Sequence, residues 1–376
     1  MASGFSLKDQ LFNLEKTRYL AGLFARAVPG FEAERFEADV MAGLMSRELK
    51  ARIDWIAEVL GHHLPGPLSE IGPHILKALP PPLDPGKSDD DFGDFIFAPI
   101  GEFIVARGLS TDPERALDLL EHVTQRFSME WAIRPFLNEH PDLTLARMQD
   151  WARHPSYHVR RLVSEGTRPR LPWGQGVSLA LRAPLPLLDL LHSDPTRYVT
   201  RSVANHLNDI AKKDPDLVLD LLQDWRERGL QQEKELSWLT THACRGLVKS
   251  GHLRTLRFLG YDPDAKLDVT LCIKNDIVKI GEVLEFEVTL SGAVDVPVDV
   301  PVLVDYRITF ARPGGRAAQK VFKLKQARLR GGTLKLAKRH RLKGDATTFK
   351  LHPGQHGVEI LVNGRIATQG SFELIP

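Results

Sequence analysis

Cysteine is nearly absent. The two cysteines, Cys244 and Cys272, stand apart and share no metal-ligand spacing. This excludes a disulfide framework and a cysteine-rich zinc module, and it fits a reducing compartment. No apolar run approaches the roughly 18 residues that a membrane helix needs. The opening MASGFSLKDQLFNLEK lacks the charged-then-apolar pattern of a secretory signal. There is no P-loop, no dinucleotide fingerprint and no Cys/His cluster, so no metal, nucleotide or redox cofactor is expected. His62, His63 and His74 fall in a Pro/Gly-rich stretch and read as turn residues rather than ligands. The expectation is a cytoplasmic, nucleoid-associated protein with no membrane and no metal partner.

What is present is an ordinary core and an uneven charge. The 376 residues are 43% hydrophobic and 26% charged, enough apolar content for two domains at roughly 100–200 residues each. The net charge of +2 conceals a division. Residues 266–376 carry 18 Lys+Arg against 11 Asp+Glu, whereas residues 1–265 carry 32 against 37. Between Arg312 and Lys350 there are 13 basic residues and one acidic residue, Asp345. Such a segment suits a polyanionic partner; the plainer alternative is the solvated face of a small β domain.

Residues 1–262 carry helical periodicity, as in FEADVMAGLMSRELKARIDWIAEVL and PERALDLLEHVTQRF. Thr111 and Asp112 before Pro113 predict a helix start. The stretch LPPPLDPGKSDDDFGDF at 79–95 reads as a long loop. HPSYHVRRLVSE (154–165) aligns with DPTRYVTRSVAN (194–205) at a period of 40, and HPDLTLARMQDW (140–151) aligns with DPDLVLDLLQDW (214–225). ACRGLVK (243–249) reads as a looser third copy. Paired helices at this period predict an all-α HEAT-like solenoid with a concave binding face. The alignment puts Arg161, Arg201 and Arg245 in register, either to track a phosphate backbone or to bridge neighbouring repeats. Residues 263–376 change to short, β-branched, partly alternating runs with Gly-Gly, Pro-Gly and Asn-Gly turns. About seven strands predict an all-β immunoglobulin-like sandwich without a disulfide.

FSMEWAIRPFL (127–137), HPSYHVRRLVSEGTRPRLPW (154–173) and YVTRSVANHLNDIAKKDP (198–215) resemble the AlkC family of bacterial alkylpurine DNA glycosylases, which shares the HEAT-repeat superfamily with AlkD. The resemblance covers roughly residues 1–260, and the strand pattern resembles the immunoglobulin-like domain that part of the family carries. It implies base excision repair: hydrolysis of the N-glycosidic bond of cationic N3-methylated bases, chiefly 3-methyladenine, with 3-methylcytosine a further candidate. It also implies cleavage without base flipping. The expected partner is double-stranded DNA with alkylated bases, bound by a monomer.

The chemistry asks for little beyond what these motifs offer. An N3-methylated base is cationic and leaves neutral, so no general acid is required. The sugar left behind has oxocarbenium character, and a carboxylate nearby stabilises it and can position water. Two unit charges at about 4 Å are worth ~4 kcal/mol at an effective dielectric near 20, on the order of a thousandfold in rate. Glu165 and Glu130, each inside a matching motif, are the candidates, with Asp209 a third. The alternative for each glutamate is an i,i+4 ion pair, Glu130 with Arg134 and Arg161 with Glu165, worth ~0.3–0.5 kcal/mol. Arg134, Arg161, Arg168, Arg170, Arg201, Asn205 and Arg245 are expected at DNA, joined by Lys335, Lys338, Arg339 and Arg341 of the basic segment. Trp131 and Trp173 are expected beside the lesion, while Trp55, Trp151, Trp225 and Trp238 read as core. A non-catalytic HEAT scaffold for DNA or an acidic protein is the competing reading.

Overall fold

A computed structural model describes residues 6–87, 92–292, 299–315, 317–330, 332–344 and 349–376. Part of the 79–95 loop, residues 88–91, therefore lies outside the described residues, as do Arg316, Gly331 and Asp345 of the basic segment. Helices α1–α5 occupy Leu7–Leu11, Leu14–Ala27, Ala33–Leu44, Leu49–His63 and Leu68–Ala78. Helices α6–α10 occupy Ala98–Gly108, Pro113–Thr124, Ile133–Glu139, Pro141–Trp151 and Tyr157–Gly166. Helices α11–α16 occupy Leu185–Leu191, Arg197–Ile210, Pro215–Arg228, Glu233–Ala243, Arg245–Lys249 and Leu253–Phe258. Strands β1–β4 follow at Leu267–Ile273, Ile277–Lys279, Val283–Gly292 and Asp299–Ala311; β5–β8 are Ala317–Arg330, Thr333–Arg341, Gly354–Val362 and Arg365–Ile375. Among the described residues, no helix is long and apolar enough to cross a membrane.

The chain divides into two compact units. The first runs to Ala243 without Pro215–Leu219; the second takes Pro215–Leu219 and Cys244–Pro376. The expected boundary at 262/263 therefore falls inside the second unit. Leu256 of α16 is buried against Tyr261 and Leu303 of β4, and the Asn363 side chain donates to the Asp262 carbonyl at 2.8 Å. Periodicity marks where helix gives way to strand, but not which core a short helix joins.

In the helical unit, α10 packs on α12 and α12 packs on α14, the stacking expected of HEAT-like repeats. The repeat motif has a physical basis in both copies. The Asp194 carboxylate accepts from the Thr196 N–H at 2.8 Å, and His154 Nδ1 accepts from the Ser156 N–H at 3.0 Å, so a side chain satisfies a backbone donor just ahead of each helix. The spacing then shortens. Helices α10 and α12 start 40 residues apart, but α14 starts 36 after α12. The third repeat helix is α14, not 243–249, and Arg245 instead opens α15 in the second unit.

The Asp112 cap is present: its side chain accepts from the Arg115 N–H, and Pro113 opens α7. The three histidines are not turn residues. His62 and His63 end α4, and His74 lies inside α5 just after Pro73. Burial of Leu68, Ile71, Ile75 and Ala78 along one face of α5 outweighs the backbone hydrogen bond that Pro73 removes.

In the second unit, β1-β3-β6 form one sheet and β2-β8-β7-β4-β5 the other. Leu284, Phe286, Val288 and Leu290 of β3 meet Val302, Val304, Tyr306 and Ile308 of β4 and the inner faces of β7 and β8. This is the expected sandwich. The seven expected runs are all strands; the eighth, β2, has only three residues and gives no readable period.

Candidate active site

The site is assembled from three separate segments. The turn 130–132 supplies Glu130, the last turn of α10 supplies Glu165, and α12 supplies Asp209. A glutamate in the last turn of a helix opposes the helix dipole, so its position needs compensation from outside the helix. Gly166 makes room for the neighbouring segment: a Cβ there would lie 2.5 Å from Ile133 Cγ2.

Six charges alternate in sign across these segments. Glu130 Oε2 accepts from Arg161 Nη1 at 2.8 Å, and Arg161 Nη2 lies 3.7 Å from Glu165 Oε2. Glu165 Oε1 accepts from Arg168 Nη1 at 2.5 Å. Arg168 continues to Asp209 Oδ2 with Nη2 at 2.8 Å and Nε at 3.0 Å, and Asp209 Oδ1 accepts from Lys212 Nζ at 2.8 Å. Ser128 Oγ donates to Glu130 Oε2 at 2.9 Å, and Ser202 Oγ donates to Glu165 Oε2 at 2.6 Å. The Arg161 guanidinium also covers the Tyr198 ring, 4.5 Å from its centroid.

This alternation fixes ionisation. Burial works to raise the pKa of Glu165, but Arg161, Arg168 and the Ser202 hydroxyl outweigh it and hold the carboxyl below its ordinary value. Burial likewise works against charge on Arg161 and Arg168. Glu130 and Glu165 hold Arg161 above the usual arginine value, as Glu165 and Asp209 do Arg168. Charge balance also explains how acids can persist among so many arginines.

Several expected DNA contacts have other partners. Arg134 does not pair with Glu130 and is fully buried, contrary to its expected role as a phosphate grip. Its Nη1 donates to the Gly166 and Arg168 carbonyls at 2.8 and 3.0 Å, and its Nε donates to the Gln175 carbonyl. Burial, with Arg168 nearby, lowers its pKa to about 10. Arg134 thus braces the 166–175 loop. Arg168 is committed to two carboxylates. Arg170 is exposed, Arg201 and Asn205 are half-buried, and Asn205 Oδ1 accepts from His242 Nε2 at 3.0 Å. Arg160 makes one inter-repeat bridge, its Nε reaching Asp194 Oδ2 at 2.5 Å, and Arg197 makes another to Glu235.

Trp173, carried by the braced loop, is 63% exposed and has a positive φ of 62°, a strained conformation for a bulky residue. Its ring centroid lies 6.2 Å from that of the half-buried Trp131, which continues into Phe127 and Phe95. Trp151 and Trp225 are core, as expected. Trp55 and Trp238 are only half-buried, each beneath an arginine, Arg47 at 4.0 Å and Arg197 at 3.8 Å.

On β6, side chains alternate. Lys335, Arg339 and Arg341 are exposed, and Arg339 pairs with Glu285 at 2.9 Å. Lys338 falls on the opposite face with Leu334 and Leu336, its Nζ 5.7 Å from the Tyr306 ring centroid. The period of two separates it from the other three basic residues.

Sequence reasoning does not single out Ser128, Ser164, Ser202 or Tyr198. Ser202 and Ser164 carry a signal, because they stand where the other repeat copy has Leu162 and Ala204.

Residues 268–376 match the family described as "Uncharacterised protein YhaZ, C-terminal Ig-like domain". The protein YhaZ of Bacillus subtilis (strain 168) is 35% identical over 266 residues, 69% of this chain and 72% of its own length. The structure of Pseudomonas fluorescens alkylpurine DNA glycosylase AlkC, bound to DNA containing an abasic site analog, is 31% identical. It aligns over 99% of this chain and 100% of its own with a TM-score of 0.85. With a helical unit of HEAT-like repeats followed by an immunoglobulin-like sandwich, the chain belongs to the AlkC family.

Proposed function

We propose that this protein is a DNA glycosylase that removes cationic N3-methylated bases, 3-methyladenine first among them, from double-stranded DNA. The observation that carries the reading is Glu165: a buried carboxylate, held ionised by arginines, in the last turn of a helix whose dipole disfavours it. Its repeat counterpart is Asn205, so the charge is no requirement of the repeat. A structural role alone gives little reason to place this glutamate here.

In this mechanism the cationic base departs neutral as the C1′–N bond breaks. Glu165 and Glu130 face the growing positive charge of the sugar. The bonds from Arg161 and Ser128 both go to Glu130 Oε2, which leaves Oε1 to hold the water that adds to C1′ and to take up its proton. Asp209 acts through Arg168. The exposed Trp173 and the half-buried Trp131 offer an aromatic surface for the damaged nucleotide, which stays outside a closed pocket. Lesion selection then rests on the charge and the weakened bond of the damaged nucleotide. Arg170, Arg201 and Arg245 contact phosphates, and Lys335, Arg339 and Arg341 of the sandwich add sequence-independent affinity. The protein acts as a monomer in a bacterial cytoplasm.

The test is release of free methylated base from methylated duplex DNA. Glu165→Gln and Glu130→Gln are each expected to slow release by on the order of a hundredfold or more, with DNA affinity kept or raised. Unchanged release in both variants would overturn the assignment.

A further inference from the structure

The two oxygens of Glu165 are held by different chemistry. Oε1 meets a cation, Arg168, whereas Oε2 meets a neutral hydroxyl, Ser202 Oγ, at 2.6 Å. Ser202 Oγ also lies 3.0 Å from Ser164 Oγ, and both serines are buried. A hydroxyl has one proton to give and lone pairs with which to accept. An ionised carboxylate can only accept, so the Ser202 proton goes to Oε2 and Ser202 accepts from Ser164. The two hydroxyls therefore run in one direction, from Ser164 through Ser202 to Glu165.

His206 closes the back of this arrangement. Its Nδ1 lies 3.0 Å from the Ser164 carbonyl, which places the ring proton on Nδ1, and burial lowers its pKa to about 4. The imidazole is neutral and adds no third cation against Glu165. The other groups facing the carboxylate are Arg161 and Arg168, with Glu130 and Asp209 reached through them and Tyr198 beneath Arg161.

The repeat alignment sharpens the point. Ser202 occupies the place of the fully buried Leu162, and Ser164 occupies the place of the fully buried Ala204. Two hydroxyls stand where packing alone is served by apolar side chains. A buried hydroxyl needs a partner, and the partner of this pair is one carboxylate oxygen.

We propose that Ser202, oriented by Ser164, is a positioning residue for the reaction: its hydroxyl fixes the Glu165 carboxylate so that its charge is presented to the sugar of the damaged nucleotide. The proposal rests on the reading of Glu165 as a catalytic carboxylate. Without Ser202, Oε2 keeps, among the described residues, Arg161 at 3.7 Å, and the carboxylate is free to turn toward its two arginines.

The experiment measures single-turnover release of methylated base from methylated duplex DNA by the full-length protein, across pH, alongside DNA affinity. Ser202→Ala is expected to slow release by about tenfold, which corresponds to ~1.4 kcal/mol. Its loss of activity on the acid side should begin at a higher pH, with DNA affinity unchanged within about twofold. Ser202→Thr keeps the hydroxyl and should restore both rate and pH profile; Ser164→Ala should give a smaller shift in the same direction. If Ser202→Ala matches the parent in rate and pH profile while Glu165→Gln abolishes release, the positioning role is overturned and the catalytic reading stands. If Ser202→Ala slows release with no change in pH profile and Ser202→Thr does not rescue it, the residue serves packing and the proposal falls. Release that persists in Glu165→Gln would instead overturn the catalytic reading beneath it.

Discussion

Arg161 reaches from α10 to Glu130, 31 positions earlier in the chain, with 2.8 Å between Nη1 and Oε2. That contact joins two carboxylates to one cation, because Arg161 Nη2 also faces Glu165. Removing the cation leaves Glu165 less well compensated in a buried place. In Arg161→Gln the Glu165 pKa should rise. With the ionised form acting as proposed, the acid side of the pH–rate profile should move to higher pH, and a profile identical to the parent's would show that Arg161 does not tune Glu165.

Arg134 is a structural residue in this arrangement. Arg134→Met would leave the Gly166, Arg168 and Gln175 carbonyls without their donor, at a cost on the order of 3 kcal/mol. Thermal unfolding should show a clear fall in Tm, and base release should fall with it because the loop carrying Trp173 loses its brace. A variant as stable as the parent would return Arg134 to the surface contacts.

Gly93 lies against the segment that leads to Glu130. Its φ is +76°, and a Cβ there would lie 1.8 Å from the Arg126 carbonyl oxygen. Gly93 bridges to Phe127, and the Leu83 and Asp94 amides donate to the Gln125 and Arg126 carbonyls on either side. Gly93→Ala should lower both Tm and activity. Gly86→Ala is the control, because a Cβ at that glycine meets the Asp84 side chain rather than backbone. Equal Tm values for the two variants would show that the bridge at Gly93 is not needed.

The sandwich contains its own pH-sensitive group. Burial raises the pKa of Asp305 from 3.8 to about 6, with Lys323 on the neighbouring strand partly opposing the shift. The folded state then binds a proton more tightly than the unfolded chain. The destabilisation is absent below about 3.8, grows as pH rises, and is complete above about 6. Asp305→Asn should raise Tm at pH 8, and the gain should shrink toward pH 4. An equal effect at both values would mean that Asp305 is not perturbed in the folded protein.

The basic face of β6 offers a test by salt. Replacing Lys335, Arg339 and Arg341 together by Gln should weaken DNA binding and reduce the slope of log affinity against log salt by up to about three. Lys338→Gln should leave the slope unchanged, because Lys338 lies with the inward-facing residues. A triple variant with the parent's slope would make the charged face a guard for an edge strand rather than a DNA contact.

The order of the two architectures is readable in the sequence because periodicity is local: an apolar residue every three or four positions marks a helix, and every second position a strand. Glu130, Glu165 and Asp209 stand out by motif, and the tertiary structure brings them into one chain of alternating charge. Roles that depend on distant partners are not readable. Arg134 and Arg161 are alike in sequence, yet one is buried against three carbonyls and the other bridges two acids, a choice made by where α8 meets the end of α10. The register of the third repeat is lost where the spacing falls from 40 to 36, and with it the placement of Arg245. The sequence by itself determined the kinds of elements and the chemistry available. Only the packing decided which arginine serves charge and which serves the fold, because a side chain's partner is set by what lies within a few ångströms of it, whatever the separation along the chain.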